Sequence, residues 1–254
     1  NIGRNLHYVA NKRRVREDKR FVTGKGKYVQ DINLPDTKHA AVLPSPYPRA
    51  RILSIDTAAA EALDGVHMVL TGEQMAVDCN PIRLGLKLPE INWYPLAVSM
   101  TCYVGEWVAI AVADDPYIAE DALDLIEVDY EPLQPIVDPE QAFDETELLV
   151  HPGHGSNVLY HGNFLWGDVD SDFAGADDNL SFRARWGRSS TVPIETFGAL
   201  ARWDEGTEIL DIWASIQMPN FVELMASTLG YPLNCIRLHQ DVDVGGSYGV
   251  KRGI

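Results

Sequence analysis

The chain has 254 residues, of which 46% are hydrophobic and 23% charged, a globular composition that excludes a disordered or collagen-like protein. Lys and Arg number 21 against 37 Asp and Glu, a formal net charge of −16, so the chain lacks the cationic footprint that phosphate binding requires and is a poor partner for nucleic acid or an anionic membrane surface. Cys79, Cys102 and Cys235 stand far apart with no C-x-x-C spacing, which encodes neither zinc nor an iron–sulfur cluster and fits free thiols. No run approaches the roughly 18 apolar residues of a membrane span, and charges occupy the N-terminal region where a signal peptide would be apolar; a cytoplasmic protein without a membrane span is expected.

In chain order, residues 1–20 form a basic arm, with Arg4, Lys12, Arg13, Arg14, Arg16, Lys19 and Arg20 opposed only by Glu17 and Asp18. Such an arm either docks on an acidic body, its own or a neighbour's, or stays a solvated tail. Thr57 to Leu63 reads as a helix between Asp56 and Gly65. Trp107 to Ala113 reads as a buried strand, Asp115 as an N-cap with Pro116 in the first helical position, and Ile118, Ala122, Leu125 and Ile126 as the helix face that follows. From Ile126 the period drops to two, a strand pattern through Tyr130. Pro132, Pro135, Pro139 and the stretch His151–Asn157 read as a linker, which divides the chain into a domain over 21–140 and another over 155–254. In the second, Leu180, Phe182, Ala184 and Trp186 alternate with polar residues as a strand, and Ile209 to Ser215 forms another. Phe221, Leu224, Met225 and Leu229 mark a helix face with Asn220 as its cap, and Cys235 to Val244 is a strand running into a Gly-rich turn.

That turn, Asp243-Val-Gly-Gly-Ser-Tyr-Gly-Val-Lys251, carries the chemistry. Glycines there let backbone N–H groups approach an anionic ligand; the competing reading is a tight structural turn. It also satisfies G-x-S-x-G over Gly245 to Gly249, but no acid or His follows Ser247, which a serine hydrolase of that pattern needs. His151, His154 and His161 lie around a Pro-Gly loop that does not hold two imidazoles on one face. Asp168, Asp170 and Asp172 imitate a calcium loop, but Phe173 and Asn179 stand where it requires Gly and Glu.

Taken in order, Arg16-Glu-Asp18, Phe21-Val-Thr-Gly-Lys-Gly-Lys-Tyr28, Asp31-Ile-Asn-Leu-Pro35, Ser45-Pro-Tyr-Pro-Arg-Ala-Arg-Ile-Leu-Ser-Ile-Asp56, Leu70-Thr-Gly72, Val104-Gly-Glu-Trp107 and Val128-Asp-Tyr-Glu-Pro132 resemble the start of a molybdenum-hydroxylase large subunit, of the xanthine dehydrogenase, aldehyde oxidase and carbon monoxide dehydrogenase family. The resemblance implies an α+β fold, an α/β-hammerhead domain followed by the first part of a mixed α/β molybdopterin-binding domain. The turn resembles that family's D-V-G-G-G-F-G-G-K loop beside the metal, so Gly245, Gly246, Ser247, Tyr248 and Gly249 are implied cofactor contacts, with the Tyr248 and Gly249 backbone near molybdenum. Tyr248 stands for the Phe, and Ser247 and Val250 replace glycines, of which Val250 cannot readily take a positive φ. Where many relatives place a Gln shortly before the Ile194-Glu195 pair, Gly187, Arg188 and Ser189 stand here, which leaves Ser189 as the substitute donor.

No catalytic residue is expected in this chain, since the family's general base lies in the portion of the large subunit that the resemblance does not cover. The implied activity is oxidative hydroxylation of a carbon centre in an N-heterocycle or aldehyde, with water as oxygen source. The implied cofactor is molybdopterin, its cytosine dinucleotide form being one option, with 2Fe-2S clusters and FAD on partner chains. The implied partners are the remaining part of the molybdenum subunit, an iron–sulfur subunit, an FAD subunit and a small-molecule substrate. The alternative is a non-catalytic scaffold of such a complex.

Overall fold

A computed structural model of the chain describes residues 15–83, 91–187, 189 and 191–252. The basic arm up to residue 14 lies outside them. In chain order the elements are α1 (Asp18–Val22), β1 (His39–Pro44), β2 (Ala50–Asp56), α2 (Ala58–Glu61), β3 (Val66–Thr71), α3 (Gly72–Asp78), β4 (Met100–Thr101), β5 (Trp107–Ala113), α4 (Pro116–Leu123), β6 (Glu127–Pro132), α5 (Pro139–Asp144), α6 (Val169–Gly175), β7 (Ala199–Asp204), β8 (Ile209–Ala214), α7 (Phe221–Leu229) and β9 (Ile236–His239). They divide into two units that do not follow chain order: one holds the described residues of 34–190 with 219–236, the other residues 15–33 with 191–218 and 237–252, again of those described.

In the first unit, β5 is the centre of an antiparallel sheet of order β1-β5-β3, its Ala111 facing Ala41 on one side and Val69 on the other. Flanked on both edges and covered by α4, β5 reads as an unbroken apolar run. Asp115 starts α4 by accepting from the N–H groups of Tyr117 and Ile118, and Pro116 occupies the position whose N–H has no helical partner. The contact uses small residues: Ala60, Ala109, Ala111 and Ala122 are fully buried and pack with Val69 and Ile126, which lets the helix backbone approach the sheet closely. After α4 the chain enters a second antiparallel sheet, β4-β2-β6, so the two strands flanking α4 lie in different sheets and the strand–helix–strand run is no parallel crossover. The helix α7 belongs to this unit, tied to it where the Asn80 N–H donates to Thr228 O at 2.7 Å and Asn80 Nδ2 to Ser227 O at 2.9 Å. Gly230 ends α7 at φ +63°.

The second unit contains the sheet β7-β8-β9, in which β7 and β8 pair from Ala199 with Ala214 to Asp204 with Ile209. The buried Asp211 carboxylate joins neighbouring strands by accepting from Arg202 at 2.6 Å and facing His239 Nε2 at 2.7 Å. Residues 15–33 belong here because Arg20 forms a bidentate pair with Asp243, whose carboxylate also accepts from the Lys27 N–H at 2.8 Å.

Several expectations are corrected. The linker contains α5, started by Asp138 and Pro139 with the same pair of signals that start α4. The helix face read through Ile126 overruns α4, which ends at Leu123, and the stretch that fails as a calcium loop is the start of α6, with Asp168 as its N-cap accepting from the Ser171 N–H. The helix read over 57–63 is the single turn α2, and Asn220 makes no capping bond to α7. The strand from Cys235 ends at His239 rather than Val244. Residues 180–186 form no strand at all, although their alternation is regular; they have no paired neighbour, and a strand exists only in a ladder.

Candidate functional site

The Gly-rich turn in the second unit is held at its ends and open in the middle. At one end the Gly245 N–H donates to Glu195 Oε2 at 2.6 Å. At the other the Gly249 N–H donates to Gln217 Oε1 at 3.0 Å, and the Lys251 carbonyl accepts from the Gln217 N–H at 2.9 Å. The N–H groups of Gly246, Ser247 and Tyr248 are left without a protein acceptor among the described residues. Val250 N–H donates to Ser247 O at 2.8 Å and closes a turn whose central residues, Tyr248 at φ +47° and Gly249 at φ +94°, both take the left-handed region. Val250 does not take a positive φ; the strain predicted for it falls on Tyr248. Gly246, at φ +96°, is close-packed, for a Cβ there would lie 2.9 Å from the Tyr248 ring and 3.2 Å from Pro193 Cβ.

Glu195 is the hub of the anchorage. Its Oε2 accepts from Lys251 Nζ at 2.6 Å, Ser215 Oγ at 2.8 Å and the Gly245 N–H, while Oε1 is buried without a partner among the described residues. Lys251 is 1% exposed, so its ammonium is committed to this carboxylate and is unavailable as a base or nucleophile. Burial pushes the Glu195 carboxyl up, but the hydrogen bonds from Lys251, Gly245 and Ser215, with the Lys251 charge, outweigh it and hold the group below its ordinary value. The result is a negatively charged anchor behind a short run of free backbone donors, an arrangement suited to binding an anionic oxygen.

Of the residues singled out from sequence, Gly245 to Gly249 lie together in this turn, and Ser189 belongs to the other unit, where it is exposed beside a cavity also lined by Arg49 and Cys102. Arg188 lies outside the described residues. Ser247 is followed by a turn rather than by the helix that a nucleophile elbow requires. His151 packs edge-on against Trp93, and among the described residues no three His, Cys, Asp or Glu side chains are placed to hold a metal ion. Sequence reasoning missed Glu195, Gln217 and Arg20 as anchors. Glu195 was visible as half of the Ile-Glu pair, whereas nothing local marks Gln217 or Arg20.

Two family models match. One, described as aldehyde oxidase and xanthine dehydrogenase, a/b hammerhead domain, covers residues 23–134; the other, described as molybdopterin cofactor-binding domain, covers residues 150–254. An α/β hammerhead followed by such a domain defines the class, and the chain belongs to the molybdenum-hydroxylase large-subunit family, of which it matches the N-terminal portion. It is 35% identical to the nicotine 6-hydroxylase large subunit of Paenarthrobacter nicotinovorans, over 92% of this chain and 29% of that protein. It is 32% identical to the carbon monoxide dehydrogenase large chain of Hydrogenophaga pseudoflava, over 94% of this chain and 31% of that one. The crystal structure of quinoline 2-oxidoreductase from Pseudomonas putida 86 matches with a TM-score of 0.82 at 36% identity, over 93% of this chain and 30% of that chain. The chain thus spans less than a third of the length of these relatives.

Proposed function

We propose that the chain forms the N-terminal part of the molybdopterin-binding subunit of a molybdenum hydroxylase, as a hammerhead domain over 21–140 and the start of the cofactor domain over 155–254. The observation that carries this reading is the turn 245–249, whose ends are pinned by Glu195 and Gln217 while Gly246, Ser247 and Tyr248 keep free N–H groups. In the proposal these amides hold the cofactor's anionic oxygens at its metal end, and the Tyr248 and Gly249 backbone borders the molybdenum. Fixed donors in a partly desolvated turn cost no reorganisation when charge develops, which is the source of their catalytic value. When bound, the cofactor supplies the two-electron acceptor for oxidative hydroxylation of a carbon centre in an N-heterocycle or aldehyde, with water as oxygen source. Ser189 takes the place of the Gln that donates in relatives, and the cofactor's cytosine dinucleotide form is one option.

The general base lies in the part of the subunit that this chain does not span. Electrons leave through 2Fe-2S clusters and FAD on partner chains, and the complex is cytoplasmic. One turn supplies only a few of the contacts that a buried cofactor needs, so the chain alone should bind molybdopterin weakly. The test is intact-mass and metal analysis of the purified complex, wild type and Gly246→Val. The expected result is stoichiometric molybdenum in the wild type and loss of it in the variant, because φ +96° and the contact with Pro193 both exclude a β-branched side chain. A complex without molybdenum, or a fully loaded variant, overturns the reading and favours a scaffold.

A further inference from the structure

Residues 180–186 have the sequence of a half-buried strand and the surroundings of none. Leu180, Phe182 and Trp186 recur at every second position or multiple of it, with Ser181, Arg183 and Arg185 between them. Among the described residues, no backbone N–H or C=O from 180 to 186 has a hydrogen-bond partner. A run of unpaired backbone groups with strand-like side-chain alternation is a template for another strand. The stretch is tethered in its unit by side chains, with Arg183 donating to both Glu140 oxygens at 2.6 and 2.7 Å.

Its apolar set is fully solvated: Leu180, Phe182 and Trp186, like Phe164, Leu165 and Trp166 earlier in the same unit, are each 80% exposed or more. Scattered exposed apolar residues are ordinary, but six large ones in two short runs on either side of α6, three of them at alternate positions, mark a surface that a partner covers. Beside it lies a cavity of about 950 Å³ lined by residues 183–187 and by Arg49, whose buried Nε has no acceptor among the described residues.

We infer that residues 180–186 are an interface strand that pairs with a β-strand from the part of the molybdenum subunit outside this chain. The inference rests on the proposed function for the identity of that partner. The occupant is argued from length, since more than two-thirds of each relative lies outside the match and has to meet this chain somewhere. It is also argued from chemistry. The partner strand presents apolar residues at alternate positions to Leu180, Phe182 and Trp186, and an acidic side chain to Arg185, for which no carboxylate lies in reach among the described residues, unlike Arg183 with Glu140.

Hydrogen–deuterium exchange on the assembled complex tests this. Amides 180–186 are expected to exchange at least a hundredfold more slowly than their intrinsic rates, as ladder amides do, and Phe182→Asp to abolish that protection and weaken assembly at least tenfold. Val77→Asp, at another exposed apolar position, should change neither. Exchange at intrinsic rates in the assembled complex overturns the inference. So does equal protection in the 254-residue chain alone at dimer mass, which would make the occupant a second copy. Molybdenum analysis of the same sample separates the two readings: a loaded complex with unprotected amides sinks only the interface, and a protected strand without molybdenum sinks only the cofactor reading.

Discussion

Tyr248 carries the backbone cost of the Gly-rich turn, since a non-glycine residue at φ +47° gives up about 1–2 kcal/mol. Gly249, at φ +94°, cannot be replaced at similar expense by a β-branched residue. Tyr248→Phe, which leaves the amide unchanged, is therefore expected to retain most turnover of the assembled enzyme. Gly249→Val, which cannot hold φ +94° and so misplaces the neighbouring free Tyr248 N–H, is expected to lose about 10²–10³ in kcat, the usual loss for one preorganised donor. The comparison is made at matched molybdenum content, and equal turnover in both variants would reduce the turn to a structural element. Removing the ammonium in Lys251→Met leaves Glu195 charged and buried with only neutral donors, which should cost about 3–5 kcal/mol in urea denaturation. Adding Glu195→Gln should recover part of that loss; a single variant within about 0.5 kcal/mol of wild type would show that the pair carries no buried charge. The two partners stand 56 positions apart, so the sequence displays both residues while only the fold shows that they are one unit.

At the scale of elements, legibility followed local signals. Asp115-Pro116 marks the start of α4 to the residue because cap and first turn are encoded in consecutive positions, whereas its end at Leu123 falls short of the face read through Ile126; Asp115→Ala should cost about 1 kcal/mol in thermal unfolding. The same signal at Asp138-Pro139 was masked by the neighbouring prolines, and α5 was read as linker. Gly72 opens α3 where its backbone meets another segment: a Cβ there would lie 1.9 Å from the Ala97 carbonyl oxygen. Backbone cannot turn aside as a side chain can, so Gly72→Ala is expected to destabilise by about 1–3 kcal/mol, measured as a lowered urea midpoint at unchanged slope. An unchanged midpoint would mean that the 97–98 segment is free to shift. Residues 180–186 show the opposite failure, in which a correct periodicity produced no element because pairing is supplied by a second strand.

At the scale of the molecule, its many carboxylates set the response to pH. Glu195 is held low by bonds that outweigh its burial, Asp211 by Arg202 and then His239, and Asp243 by Arg20 and then the Lys27 N–H. Their depressed folded values make a contribution that is present above the ordinary values of 4.5 for Glu and 3.8 for Asp and is lost as pH falls through the folded ones. Burial and then Glu106 push the Cys102 thiol from 9.0 up to about 11, so the unfolded chain ionises first and stability falls between those values as pH rises. Thermal scans are expected to show a plateau near neutrality with a decline on both sides; a Tm that rises on acidification through pH 4 would contradict the ion-pair assignments. The sequence by itself determined the class of this protein, the caps of its best helix, the run of β5 and the position of the Gly-rich turn. These depend on residues close together in the chain or on an ordered series of motifs. Only the tertiary structure decided which donors of the turn remain free, that Glu195, Gln217 and Arg20 hold its ends, and that residues 15–33 join the unit containing it. Those outcomes turn on pairs as far apart as Arg20 and Asp243, 223 positions in the chain, which folding brings within 2.5 Å and no local pattern encodes.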